Sequence, residues 1–125
     1  MGSVSDVPAR LRPASPEEVA AAWEDVRGDD TPASALRLLT KHYLALLAGA
    51  HPGRSVEVRV PPYAAVQCIG GTRHTRGTPP AVVETDALTW IRLARGDLSW
   101  SEAVDTGRVS ASGERSDLAA LLPLA

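Results

Sequence analysis

The stretch from Thr31 to Val60 changes its repeat half-way along, and that change constrains the fold more than any other feature. In "TPASALRLLTKHYLALLAGAHPG", Leu36, Leu39, Tyr43, Leu46 and Leu47 share one side at the helical repeat, and Ser34, Arg37 and Lys41 take the other. Thr31 is placed to cap this helix, Pro32 suits its first turn, and Gly49 and Pro52 supply stop signals. "SVEVRV" then alternates Val56, Val58 and Val60 with Glu57 and Arg59, the period of a strand with one wet face. A helix with one apolar stripe and a strand with one apolar face both need cover. The sequence therefore predicts an α+β plan in which helices lie on one face of a sheet.

The other elements follow the same grammar. Ser15 precedes Pro16 and stands three residues before Glu18, a capping box that opens a helix carrying Val19, Trp23 and Val26, with Gly28 to end it. Pro61-Pro62 breaks the first strand, and "YAAVQCIGG" reads as a second strand, antiparallel through a short connection. "GGTRHTRGTPP" reads as a turn and an irregular edge, with Thr72 to Thr75 as a brief strand, and "AVVET" as another strand. Thr85 or Asp86 caps a helix with Ala87, Trp90, Ile91 and Ala94 on one face, closed by Gly96. Ser99 and Glu102 form a second capping box for a short helix that buries Ala103, with Trp100 and Val104 as its other apolar residues, before Gly107. "RVSASG" is a strand, open to a parallel alignment because two helices precede it, and Ser116 caps a final helix through Leu118, Leu121 and Leu122. The expected architecture is a sheet of about five mostly antiparallel strands, covered on one face by helices.

At 125 residues the chain has the size of one domain, expected over residues 15–125 behind a loose leader of residues 1–14 that carries Pro8 and Pro13. A net charge of −2 gives no basic excess to neutralise phosphates, so bulk attraction to nucleic acid is excluded. No window approaches the ~18 apolar residues of a membrane span, which argues against stable membrane insertion. Cys68 is the single cysteine, so neither an intrachain disulfide nor a multi-cysteine metal site can form, and a cytoplasmic setting fits best. The N-terminus lacks the apolar run of a secretory signal.

No catalytic constellation stands out. His42 and His51 have no carboxylate at a matching spacing, and His51 lies where a helix C-terminus favours it electrostatically. Cys68 has no base beside it and reads as a small buried thiol. Neither a metal site nor a cofactor motif is expected. Trp23 and Trp90 fall on apolar stripes and read as core, whereas Trp100, beside the cap Ser99, is expected to be partly exposed. The apolar faces of Leu39, Tyr43, Trp90, Ile91, Val104, Leu121 and Leu122 form either a solid core or the lining of a ligand cavity. Arg73, His74 and Arg76 either hold an anionic head group at a cavity mouth or are solvated charges on a hairpin.

Several quoted segments together resemble the sterol carrier protein family. They are "TDALTWIRLARG", a helix ended by glycine; "DLSWSEAVDTG", a second short helix; and "RVSASGE" with "DLAALLPL". Upstream, "RVPPYAAVQCIGGTRHTRGTPPAVVETD" is similar to the free-standing actinobacterial form of this domain. The resemblance implies a five-stranded sheet covered by helices, with an apolar tunnel that in some members holds sterols, fatty acids or acyl-CoA. The same fold also ends the mycothiol-dependent maleylpyruvate isomerases, whose metal sits in a separate helical bundle. The 54 residues before Ser55 are too few for that bundle, so the metal-dependent activity is not carried over. What the resemblance implies is a non-catalytic protein whose partner is a small apolar ligand. The competing class is an interaction module of the same fold with a filled core, a homodimer or an accessory to an enzyme.

Overall fold

The computed structural model describes residues 11–70, 81–113 and 116–124. In chain order these form α1 (Pro16–Glu24), α2 (Ala33–Ala50), β1 (Val56–Val60), β2 (Ala64–Cys68), β3 (Ala81–Thr85), α3 (Ala87–Arg95), α4 (Trp100–Asp105) and β4 (Val109–Ser112).

Side-chain caps start three of the helices. The Ser15 hydroxyl accepts the Glu18 N–H at 3.1 Å and the Glu18 carboxylate accepts the Ser15 N–H at 3.0 Å, closing the box that opens α1. Those bonds hold the Glu18 carboxyl below its usual range. Asp86 accepts the Thr89 N–H at 3.0 Å at the head of α3, and Ser99 accepts the Glu102 N–H at 3.1 Å at the head of α4. Gly96 ends α3 at φ 94, a conformation that glycine adopts without steric cost.

α2 departs from the expectation at both ends. Its N-cap is Pro32, without a side-chain bond. The Thr31 hydroxyl is engaged elsewhere, donating to the Gly28 carbonyl and accepting from the Arg27 N–H, both at 2.7 Å. A short hydroxyl side chain offers the backbone a turn in competition with a cap, and here the α1–α2 turn wins. Gly49 does not stop the helix, which runs through Ala50 to a C-cap at His51. The stop is Pro52, which disfavours helical geometry in the residue before it.

The sheet order is β2-β1-β3-β4, four strands among the described residues where the sequence reading expects about five. Residues 71–80, where a strand at Thr72 to Thr75 is expected, lie outside the described residues. β1 pairs antiparallel with β2 and β3 pairs antiparallel with β4, but β1 and β3 run parallel, Val58 opposite Val83. The parallel alignment thus falls in the middle of the sheet and not on the tail strand. α3 leaves the end of β3, and α4 returns the chain to that same end, where Val109 pairs with Thr85 and β4 must run backwards. The Thr85 hydroxyl secures the return by donating to the Arg108 carbonyl at 2.8 Å.

One sheet face is buried. Val56, Val58, Val60, Val83 and Cys68 lie at 0–1% exposure against Leu39, Leu44 and Leu47 of α2 and Ile91 and Leu93 of α3. Each such aliphatic side chain contributes about 1.5–3 kcal/mol of burial. The Trp90 indole N–H donates to the Thr40 carbonyl at 3.3 Å, which joins α3 to α2 inside the apolar layer. On the opposite face Glu57 and Arg59 form an exposed ion pair at 2.9 Å.

Residues 116–124 form turns and not the expected helix. Asp117 accepts the Ala119 N–H at 2.8 Å, Leu118 is wholly buried, and the Leu124 N–H donates at 2.8 Å to Ala94. Two turns of helix ended by Pro123 gain little from local bonds. The segment instead closes over α3 and supplies a donor to a carbonyl that the helix end leaves open. It also bears on Trp100, which is buried at 9% and not partly exposed: Leu93, Leu98 and Leu122 border the same cleft.

Candidate functional site

A groove of about 730 Å³ lies between the C-terminal half of α2 and the strand β2. Ala45, Leu46, Ala48 and Gly49 supply one wall, and Ala65, Val66 and Gln67 supply the other. Leu11 and Pro13, ahead of α1, complete the lining together with Pro52 and Gly53. The space arises from residue size. On its buried face α2 presents Leu39, Tyr43, Leu44 and Leu47, while "AGA" at Ala48 to Ala50 leaves a helix flank with almost no side chain. Gln67 carries the one polar side chain among the described lining residues, so the groove is suited to an apolar guest with few directional contacts.

The far end of the groove is rigid. Ile69 has φ 66, unusual for a β-branched residue, and two backbone bonds hold it there: its N–H donates to His51 at 2.6 Å and its carbonyl accepts the Ser55 N–H at 3.0 Å. A Cβ on Gly53 would fall inside the Ile69 carbonyl, so the α2–β1 link can cross this close to the end of β2 only through glycine.

A family model described as bacterial SCP ortholog matches residues 32–124, well over half of the chain. The chain belongs to this family. Among curated proteins no match is found. Within this SCP-family chain the matched part begins at Pro32, so α1 and the groove residues Leu11 and Pro13 lie outside it.

The residues expected to line a cavity take three different positions. Leu39, Tyr43, Trp90 and Ile91 come together in the packed interior, at 0%, 3%, 1% and 0% exposure. Leu121 and Leu122 are half-buried and border two smaller cavities, of about 440 and 370 Å³. Val104 is 40% exposed on α4, because a helix of six residues turns only Trp100 and Ala103 inward. Arg73, His74 and Arg76 lie outside the described residues. The α2–β2 groove was not singled out in the sequence. The signal for it is the run of small residues after Leu47, which periodicity arguments pass over because they look for large side chains.

The remaining candidates have structural partners. Burial pushes the Cys68 thiol up to about 11, which removes it as a nucleophile near neutrality. His51 occupies the C-cap of α2 through its backbone, N–H to the Leu47 carbonyl at 2.9 Å. Trp23 donates its indole N–H to the Tyr43 hydroxyl at 2.9 Å and lies under the Arg95 guanidinium at 3.6 Å, so α1 is fastened to both α2 and α3. A polar cleft of about 320 Å³ at Glu84, Asp86 and Arg108 holds no buried unpartnered group. Among the described residues no three His, Cys, Asp or Glu side chains are grouped to hold a metal, and no helix is long and apolar enough to cross a membrane.

Proposed function

We propose that this SCP-family protein binds an apolar ligand without transforming it, a fatty acid, sterol or isoprenoid-type lipid, in the groove between α2 and β2, and that it does so in the cytoplasm. The observation that carries the reading is the groove itself. Its volume of about 730 Å³ falls inside the range of small-molecule sites, and its lining is apolar apart from Gln67. Family membership supports it, since the sterol carrier fold is a lipid-binding one. Among the described residues Leu39, Tyr43, Trp90 and Ile91 are buried in the core, and a guest there must displace close-packed side chains.

Ala48→Leu tests the reading. Its side chain projects into the groove from an already helical, half-buried position, so stability should change by no more than about 0.5 kcal/mol. Affinity for a fluorescent long-chain lipid should fall about tenfold or more, equivalent to about 1.4 kcal/mol. Unchanged affinity would place the ligand elsewhere, and absence of lipid from native and denaturing mass spectra of gently purified protein would count against carriage itself. The filled interior favours a second reading, an interaction module acting as a homodimer or beside an enzyme. That reading expects a dimer mass in light scattering and no bound lipid.

A further inference from the structure

One wall of the groove is fastened by a single hydrogen bond. Leu11 and Pro13 line the groove, and the Ala14 N–H donates to His42 Nδ1 at 2.9 Å. On the other side of Ala14 the chain is fixed, because Ser15 opens the capping box of α1. On the strap side, Leu11 has its packing against the core. The bond exists only while Nδ1 keeps its lone pair, in the neutral imidazole protonated at Nε2. A proton added to Nδ1 turns the acceptor into a second donor facing the Ala14 N–H, so the bond is replaced by repulsion.

We propose that the Ala14–His42 bond is a proton-sensitive clasp, which holds residues 11–14 as a wall of the groove when the imidazole is neutral and frees them when it is charged. Its consequence for ligand affinity rests on the groove being the ligand site; the clasp itself rests on the geometry alone. Leu11, Pro13 and Ala14 precede residues 32–124, which the family model matches, and His42 lies within them.

The surroundings favour the neutral ring. His42 is half-buried, its ring stands edge-on to Tyr43 with centroids 4.8 Å apart, and burial holds its pKa below the ordinary 6.5. The ionisable groups on the elements around it are Arg12 ahead of α1, Glu17, Glu18 and Glu24 of α1, Arg37, Lys41 and Tyr43 of α2, and Arg92 and Arg95 of α3. Arg12, Glu17 and Glu18 are exposed, Glu18 is bonded to Ser15, and Arg95 is paired with Asp97. Among the described residues no carboxylate forms an ion pair with the imidazole, so nothing there rewards its protonation. Because the folded pKa is lowered, the stability that neutral His42 contributes is complete above pH 6.5 and is lost as the pH falls from there through the folded value.

The test uses the full chain, labelled with nitrogen-15 and titrated from about pH 8 to pH 5, the range in which histidine changes charge. The Ala14 amide and the His42 ring nitrogens should titrate with one midpoint below 6.5, and protection of the Ala14 amide from exchange should drop roughly three- to tenfold, the worth of one hydrogen bond. A pyrene-labelled long-chain alcohol, which does not itself titrate, should bind more weakly by the same factor below that midpoint. His42→Gln retains an acceptor that does not titrate and should bind tightly across the range, while His42→Leu lacks one and should bind weakly throughout. An Ala14 amide that ignores the charge on His42, or a His42→Gln variant that keeps the full pH step, overturns the clasp. An Ala14 amide that titrates as expected in a protein that binds no probe at any pH leaves the clasp standing and overturns the carrier reading.

Discussion

α2 packs in two different ways on two of its faces. On its buried face Leu39, Leu44 and Leu47 reach 0% exposure, and Trp90 of α3 bonds its backbone. On the flank beside β2 the same helix carries Ala45, Ala48 and Gly49, which border a groove. Both regions are apolar, so hydrophobicity alone does not separate a core from a candidate binding site here. Side-chain volume does: large side chains fill one face with contacts, and the small ones on the other flank leave room beside them.

Trp90→Ala should break the packed face most severely. Loss of the ring and of its bond to Thr40 should cost about 3–5 kcal/mol in chemical denaturation, whereas Leu46→Ala on the groove side should cost about 1 kcal/mol or less. Equal losses would mean that the two faces of α2 do not differ as described. Gly53→Ala ranks next, at about 2 kcal/mol or more, because the new methyl meets the Ile69 backbone and not a side chain that can turn aside. If that substitution is neutral in thermal melts, the close crossing beneath the groove is absent. Cys68 probes the core without a mutation: it should resist thiol reagents at pH 8 and react fully in denaturant, since the wholly buried thiol titrates only at about 11. Rapid native labelling would show β2 leaving the sheet. The smallest effect is expected at Gly49, where a Cβ meets nothing and the backbone is helical. Gly49→Ala should raise stability by about 0.5 kcal/mol, and a loss there would show that the groove at Gly49 is already occupied.

Much of this architecture is written locally in the chain. The capping residues Ser15, Asp86 and Ser99 act within three residues of themselves, and each starts the helix it announces. The alternation in "SVEVRV" likewise fixes which side of β1 is buried. What escapes a sequence reading depends on partners far along the chain. Thr31 has the form of a cap but is drawn into the preceding turn. Leu118 and Leu122 have helical spacing, yet their segment lies in turns because the surface of α3 decides it. Trp100, read as partly exposed, is buried and shares a cleft with that same segment. The parallel pairing of β1 with β3 follows from how the chain re-enters the sheet, which no repeat in the residues encodes. The groove was the least legible feature, since it is made by small residues whose individual signals are weak.

The place of β1 in the sheet also orders events in time. Its pairing with β2 closes only the turn from Pro61 to Tyr63, whereas its pairing with β3 must wait for the chain from Pro61 to Pro80 to close a longer loop. Longer loops cost more entropy and form later, so the hairpin edge of β1 is satisfied early and the edge that will meet β3 stays bare. In that interval Val56 to Val60 presents unpaired amides and an apolar face together, the combination that recruits a second chain. α2, which precedes β1 and is complete without any strand, is the element in position to shield that face first. The flank of the helix that borders the groove in the finished protein is thus continuous with the face that guards the sheet while it is being built.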